Sequence, residues 1–304
     1  MSRIQINTTN DKVKEFLNLH IKVLENLLVG KSFEELKIQF SFEFDKFNYI
    51  ALTKTFSMLS YDENDNLRGA YPISPNKTKY KVHVEGIGAG YAMCAIDALG
   101  VPYLFGKTTT IESTDQVTNE PIQFTIDPSF SDDHVISQLG EKFKELVITN
   151  PKGSEIQVGQ AIDQAVDFCP YIGFVTDRET LTGKHLARVD SLDFVTALKY
   201  GKHSFGRENI VKLLEDFFSA ILSFYQHDYL TGDQLVEQYI QNNELLLDTY
   251  SYEQIKGMLT STLIKNGLIE EAHPSHLKEI YSLTPFGKKL MSSFVGSTYH
   301  NDPE

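Results

Sequence analysis

Two cysteines and one aspartate are the residues whose types and spacing best support chemistry in this sequence. Cys94 and Asp97 stand three positions apart in the apolar run 91–99, and Cys169 follows 75 residues after Cys94. On a helix, residues three apart share a face, so the thiol and the carboxyl would be neighbours. Burial and a neighbouring thiolate would both raise the pKa of Asp97. A carboxyl that is protonated near neutral pH can act as a general acid.

The two thiols would form a site for a soft metal ion if the fold brought Cys94 and Cys169 together. A structural zinc site needs four ligands, and no Cys-x-x-Cys or His-x-x-x-His pair supplies them. The alternative is that both cysteines are small core residues, which is common for free cysteine, and that Asp97 caps a local turn. Tyr91 and Met93 flank the first thiol, where they would line an apolar substrate pocket or simply belong to the core.

The N-terminal block, residues 1–75, has the pattern of three helices followed by a small hairpin. We expect a first helix that is capped by Asn10 or Asp11 and stopped by Gly30. Ser32 followed by Glu35 is a capping box and predicts a second helix. A third helix is expected over 47–59, before a polar hairpin tip at 61–69. This order predicts a winged-helix-like domain.

The central block, residues 76–205, alternates short strands with few helices, which predicts an α+β core built on a mixed sheet. Val82 and Val84 would share one face of a strand, and the glycines at 86, 88 and 90 would break the pattern. A buried helix is expected over 91–99 and would end at Pro102. Further elements are predicted as strands at 108–113, 123–126, 145–148 and 167–175, and as a helix at 192–200.

The C-terminal block, residues 206–304, repeats the order of helices, strand, polar tip, strand and helix. Apolar periodicity predicts helices at 209–225, 231–241 and 252–265, the last two capped by Thr231 and Ser251. Asn266-Gly267 would end the last of them, and two strands on either side of a His-Pro-Ser tip would follow. We therefore expect a second winged-helix-like domain.

Composition narrows the classes of protein to which the chain can belong. The 304 residues carry a formal net charge of −13, and 41 % of them are hydrophobic. An acidic surface repels phosphate backbones, so nucleic-acid binding is disfavoured. Two cysteines are too few for a disulfide scaffold and suggest a reducing compartment. With no signal peptide and no run long enough to cross a bilayer, the sequence predicts a cytoplasmic protein without a membrane partner.

Residues 91–113 resemble the catalytic segment of the organomercurial (alkylmercury) lyases. The run Tyr-Ala-Met-Cys-Ala-Ile-Asp-Ala-Leu is followed by Pro102, Leu104, Gly-Lys-Thr at 106–108 and Ile-Glu-Ser at 111–113. Residues 166–169 and the strand after them are similar to the second cysteine segment of that family. Both of the chain's cysteines therefore fall at the family's cysteine positions, and the resemblance covers about residues 20–205.

The resemblance implies an enzyme that cleaves a carbon–mercury bond by protonolysis. Cys94 and Cys169 would be the mercury-binding thiols, and Asp97 would relay the proton to carbon. The substrate would be a small organometallic compound, and Hg(II) would remain as bound product. Low-molecular-weight thiols or a mercuric reductase would then accept the mercury, and no organic cofactor is expected.

Two other functions stay open at this point. A lyase fold with retained thiols could act on another carbon–metal or carbon–sulfur bond. The winged-helix pattern instead suggests a regulator that senses metal or thiol. Residues 207–304 carry 7 Lys and Arg against 14 Asp and Glu, whereas DNA-binding domains usually show a basic stripe. A dimerisation or protein-contact role therefore fits the C-terminal block better. The apolar helix over residues 210–225 would supply a homodimer face or, equally well, pack inside its own domain.

Overall fold

The computed structural model describes residues 3–64, 66–138, 145–151, 169–181, 189–212, 214–215, 218, 229–240, 251–265, 267–272 and 280–295. Within these ranges a helical N-terminal region leads into a central antiparallel sheet, which is followed by further helices and short strands. The α+β class predicted from the sequence is therefore confirmed. The described ranges contain no helix that combines the length and apolar character needed to cross a lipid bilayer.

Four helices make up the N-terminal region. They are α1 (Arg3–Leu28), α2 (Phe33–Gln39), α3 (Ser41–Phe47) and α4 (Tyr49–Thr55). Helix α1 starts before Asn10 and Asp11, so the prediction that either caps it is wrong. It ends just before Gly30, whose φ of +87° is a left-handed conformation that glycine adopts without strain. The capping box between Ser32 and Glu35 is confirmed at the start of α2.

The single helix expected over residues 47–59 is wrong. Asn48 takes a left-handed conformation (φ +47°) between α3 and α4, which asparagine tolerates better than most residues. The rings of Phe44 and Tyr49 stack across this break, with centroids 4.2 Å apart. After α4 the chain enters a strand at Leu59, because the following residues pair with the far side of the predicted hairpin.

Seven strands form the central sheet, in the order β1-β2-β3-β5-β4-β6-β7. They are β1 (Leu59–Tyr61), β2 (Leu67–Ala70), β3 (Ile73–Ser74), β4 (Lys81–Val84), β5 (Gly88–Ala92), β6 (Thr109–Thr114) and β7 (Pro121–Ile126). A mixed sheet was expected, but each of its described pairings is antiparallel. Val82 and Val84 are buried, as their alternation predicts. The sheet extends across the boundary predicted after residue 75, and that boundary and the one after 205 stay predictions.

Strand β5 contains two of the glycines that were expected to interrupt the strand pattern, Gly88 and Gly90. These two glycines therefore do not interrupt the strand. Glycine is required at position 90 because α1 approaches the sheet closely. A Cβ on Gly90 would lie 2.5 Å from the carbonyl oxygen of Leu28, so only glycine lets the helix and the strand come so close. Strand β5 thereby continues to Ala92, two residues before Cys94.

The buried helix in the centre of the chain is α5 (Ala95–Phe105), not the predicted 91–99. It starts later because Tyr91 and Ala92 pair with neighbouring strands in the sheet. It continues through Pro102 and ends at Gly106, whose left-handed conformation (φ +62°) caps the C-terminus by hydrogen bonding back to the Pro102 carbonyl.

A second sheet and two helices complete the central region. The sheet has the order β10-β8-β9. The elements are β8 (Val147–Pro151), β9 (Phe174–Val175), β10 (Val189–Asp193), α6 (Asp132–Gln138) and α7 (Phe194–Phe205). The strand predicted over 167–175 is shorter than expected, because Cys169–Tyr171 forms a 3₁₀ turn and only Phe174 and Val175 pair with β8. The first two residues of the predicted strand, 167 and 168, lie outside the described ranges.

In the described part of the C-terminal region, the last two predicted helices, the two strands and the closing helix are present, and a short strand at residues 230–231 is additional. They are β11 (Leu230–Thr231), α8 (Gly232–Ile240), α9 (Tyr252–Lys265), β12 (Ile269–Glu271), β13 (Ile280–Leu283) and α10 (Pro285–Val295). The hydroxyls of Thr231 and Ser251 accept hydrogen bonds from backbone N–H groups three residues later, so both predicted caps are confirmed. Helix α10 packs against α1 and α3. Of the first predicted helix, only residues 209–212, 214–215 and 218 are described, and the predicted tip falls outside the described ranges. Winged-helix character at either end stays a prediction.

Candidate functional site

Three side chains from separate parts of the chain meet in the core. Cys94 is the residue before α5, Asp97 lies in the first turn of that helix, and Cys169 starts the 3₁₀ turn before β9. One ligand atom from each lies within 4.8 Å of the others. The residues are only 2 %, 4 % and 8 % exposed, respectively. Nowhere else in the described ranges do three or more His, Cys, Asp or Glu side chains meet in this way.

Asp97 contacts both sulfur atoms. Its backbone N–H points to Sγ of Cys94 at 3.5 Å, and the thiol of Cys169 donates to its Oδ2 at 3.7 Å. The sequence placed Cys94 and Asp97 on one face of a helix, and that detail is wrong. Cys94 has extended backbone angles (φ −148°, ψ −175°) and is the N-cap of α5. The sulfur and the carboxyl meet because the third residue of a helix lies next to the N-cap side chain.

The turn that carries Cys169 is attached to β8 by Thr149. The Thr149 hydroxyl donates to the carbonyl of Tyr171 at 2.6 Å and accepts from the N–H of Gly173 at 2.8 Å. The N–H of Thr149 also donates to the Gly173 carbonyl at 2.9 Å. Three hydrogen bonds from one buried residue therefore fix the chain immediately after Cys169.

The same turn is attached to the start of α5. The carbonyl of Ile172 accepts from the Tyr80 hydroxyl at 2.8 Å and from the N–H of Ala95 at 3.4 Å. Ala95 follows Cys94 directly, so this carbonyl links the two cysteine segments. Burial raises the pKa of Tyr80, and the nearby Cys94, Cys169 and Asp97 raise it further. Tyr80 therefore stays a neutral hydrogen-bond donor.

The electrostatics of the site favour neutral groups. Burial raises the pKa of Asp97 from 3.8 to about 7, although hydrogen bonds from Cys94 and Cys169 act in the opposite direction. The sequence argument had the sulfurs raising this pKa, which holds for thiolates but not for thiols that donate to the carboxylate. Burial also raises the pKa of the Cys94 thiol, and its interactions with Cys169 and Asp97 add to the effect.

One site residue has no signal in the sequence. The hydroxyl of Tyr71, from the turn between β2 and β3, lies 3.9 Å from Sγ of Cys169. Tyr71 stands 98 positions before that cysteine and belongs to no recognisable motif. Tyr80, which directly precedes β4, likewise belongs to no recognisable motif. Spacing rules act over a few residues and do not detect contacts of this kind.

The two residues predicted to line a pocket have different surroundings. Tyr91 lies in β5 and is half-buried, on the opposite face of the strand from Ala92. Met93 is also half-buried, and its side chain packs where a Cβ on Gly69 would lie, 2.8 Å from its Cε. Met93 thus packs against strand β2, and a substrate-binding role for either residue stays a prediction.

The arrangement suits the binding of a soft metal combined with the transfer of a proton. Two sulfur ligands within reach of one ion favour a soft metal. A carboxyl whose pKa lies near 7 can both accept a proton from a thiol and pass it on. Because all three groups are buried, water competes little for the metal or for the proton.

Comparisons with known proteins bear on the residues around this site. Residues 73–202 match the family model of alkylmercury lyase, MerB. A solved structure, the mercury-bound form of MerB2, is 17 % identical with a TM-score of 0.42 over 66 % of this chain and 99 % of that chain. The family match includes Cys94, Asp97 and Cys169 but leaves out Tyr71 and the residues after 202.

Proposed function

We propose that the protein is an organomercurial lyase that cleaves carbon–mercury bonds by protonolysis, and the match of residues 73–202 to the alkylmercury lyase family model supports this proposal. The observation that carries the proposal is the contact of one carboxyl, Asp97, with two thiols, Cys94 and Cys169, in a buried site. The compound R–Hg–X, in which R is an alkyl or aryl group, is the proposed substrate.

Mercury capture is the first part of the proposed mechanism. A soft ion prefers sulfur ligands to water and carboxylate. One cysteine replaces X on mercury and gives R–Hg–S, and the thiol proton leaves with X. The second sulfur lies close enough to add to the same ion, since both sulfurs are within 4.8 Å of the carboxylate and of each other. Two sulfur donors increase the electron density on the carbon that is bound to mercury.

Proton transfer is the second part. Because the thiol of Cys169 already points to Oδ2 of Asp97, its proton passes to the carboxylate as its sulfur binds mercury. Asp97 then donates that proton to the carbon, the carbon–mercury bond breaks, and R–H leaves. No electron is gained or lost, and Hg(II) remains on two thiolates. A pKa of Asp97 near 7 suits a group that must both accept and release a proton.

Product removal needs an external acceptor. We propose that low-molecular-weight thiols, or a mercuric reductase, take Hg(II) from the two cysteines. The reaction as written uses no organic cofactor, because the protein's own thiols and carboxyl supply every proton and ligand. A cytoplasmic location and a homodimer that uses the C-terminal region remain expectations from the sequence.

The decisive experiment is turnover of methylmercury or phenylmercury with excess thiol, followed by methane or benzene release. We expect release from the wild type and none from Cys94→Ser or Cys169→Ser. A Ser204→Ala variant is the matched control, since Ser204 is exposed on α7. If no hydrocarbon forms while Hg(II) still binds, the carbon–mercury reaction is excluded. A different carbon–metal or carbon–sulfur substrate, or metal sensing, would then be favoured.

A further inference from the structure

Tyr71 occupies a fixed place beside the site although it precedes the family match. It is only 7 % exposed, and its N–H donates to the carbonyl of Met58 at 2.9 Å. The carbonyl of the next residue, Pro72, accepts from the N–H of Met93 at 3.1 Å. Since Met93 directly precedes Cys94, the backbone around Tyr71 is joined to the segment that carries the first thiol.

The sulfur of Cys169 lies between two polar groups. On one side is Oδ2 of Asp97 at 3.7 Å, and on the other is the hydroxyl of Tyr71 at 3.9 Å. In the proposed cleavage the carboxyl takes the proton of this thiol. Once the sulfur has lost its proton it can only accept, so the phenol O–H becomes the donor of the second contact. The cleavage mechanism gives this donor no role.

Release of mercury is the step in which such a donor matters. An incoming thiol RSH forms a new mercury–sulfur bond, the bond from mercury to Cys169 breaks, and the proton of RSH ends on Cys169. No oxidation or reduction occurs, and the same exchange at Cys94 frees the metal. As the bond breaks, negative charge collects on the leaving sulfur. A hydroxyl that lies 3.9 Å from the leaving sulfur can turn its proton toward it and stabilise that charge.

We propose that Tyr71 accelerates transfer of Hg(II) from the enzyme to external thiols by donating a hydrogen bond to Cys169 as it leaves the metal. The proposal rests on the proposed function only in taking Hg(II) as the product. It also gives a direct part in turnover to the turn between β2 and β3, through a residue that lies outside residues 73–202.

The test loads purified full-length protein with one equivalent of mercuric chloride and then adds excess glutathione. The mercury that stays on the protein after rapid gel filtration is measured against time. We expect Tyr71→Phe to release mercury about tenfold more slowly than the wild type, because the leaving sulfur loses a hydrogen bond to its developing charge. The matched control is Tyr103→Phe, which removes another buried hydroxyl, from α5.

The direction of the change separates this role from a structural one. A site loosened by the substitution would lose mercury faster, whereas loss of a leaving-group donor makes release slower. Release from Tyr71→Phe at the wild-type rate, or faster, would overturn the proposal. Because mercuric chloride is the probe, the result does not depend on cleavage. Hydrocarbon release by the wild type in a single turnover, measured in parallel, tests the proposed function separately, since its absence would contradict cleavage whatever the rates of mercury release.

Discussion

The backbone N–H of Asp97 points to the sulfur of Cys94 at 3.5 Å, so the first thiol of the site is also the N-cap of the helix that carries the carboxyl. Helix geometry therefore sets the distance between the two groups. The N-terminal end of a helix also favours negative charge. A thiolate formed at Cys94 when mercury binds would gain from this position, which partly offsets the cost of its burial.

Replacement of Asp97 by Asn should separate metal binding from bond cleavage. The amide has nearly the same shape but cannot accept the thiol proton and pass it to carbon. We expect the cleavage rate to fall by about 10²–10⁴-fold, with one Hg(II) still bound per chain. Single-turnover hydrocarbon release and mercury stoichiometry measure the two effects. The control is Glu112→Gln, which alters a carboxylate paired with Lys81 in the sheet; equal losses in both variants would contradict the assignment.

The same Asp97→Asn substitution should make the protein more stable at alkaline pH. Burial raises the pKa of Asp97 from 3.8 to about 7, so the unfolded chain loses this proton at lower pH than the folded one. The free energy of unfolding therefore falls by roughly 4 kcal/mol as pH rises from about 4 to about 7. Above about pH 7 it levels off, because both states have then lost the proton. Asparagine removes this penalty.

Urea unfolding of wild type and Asp97→Asn at pH 5 and pH 8 measures this difference. The variant should exceed the wild type in stability by more at pH 8 than at pH 5. A difference that does not change with pH would show that the pKa of Asp97 is not raised in the folded protein.

Thr149 should be needed to keep Cys169 in register with Cys94. In Thr149→Val the Tyr171 carbonyl and the Gly173 N–H both lose their partner, at a cost of about 1–3 kcal/mol in unfolding free energy. We expect cleavage to fall at least about tenfold, because small displacements of reacting groups are costly. Thr149→Ser keeps the hydroxyl and is expected to recover most of the rate. If valine and serine behave alike in turnover and unfolding, the hydroxyl does not position the turn.

The crossing of α5 and α7 should tolerate no side chain at Gly201. A Cβ there would lie 3.0 Å from the backbone nitrogen of Gly100 and 3.1 Å from the carbonyl oxygen of Ile96. Backbone atoms cannot move aside, so Gly201→Ala forces the helices apart. The expected loss is about 1–3 kcal/mol, against a gain of up to about 1 kcal/mol from helix propensity. The melting temperature of Gly201→Ala, compared with that of the wild type, measures the net effect. The control is Ser204→Ala, an exposed substitution on the same helix. An unchanged melting temperature in Gly201→Ala would contradict this packing.

Elements specified by neighbouring residues could be predicted from the sequence. The capping box of Ser32 and Glu35, the caps at Thr231 and Ser251, and the buried face of Val82 and Val84 all appear as expected. Caps and alternation depend on contacts over two to four residues, and the amino-acid types alone carry that information. Errors arose where distant packing overrides a local pattern, as in the residues 91–92, which pair in a strand although their composition suggests a helix.

The sequence by itself determined which side chains were available for chemistry, two thiols and a carboxyl with a family resemblance around them. Only the tertiary structure decided that Cys169 reaches Asp97 and that Tyr71 reaches Cys169, across 72 and 98 positions of chain. Contacts at such separations depend on how the sheet, α5 and the turn after β8 pack together. Burial follows from the same packing and raises the pKa of Asp97 to about 7. The residue types are therefore local information, whereas their distances and proton affinities result from the assembled core.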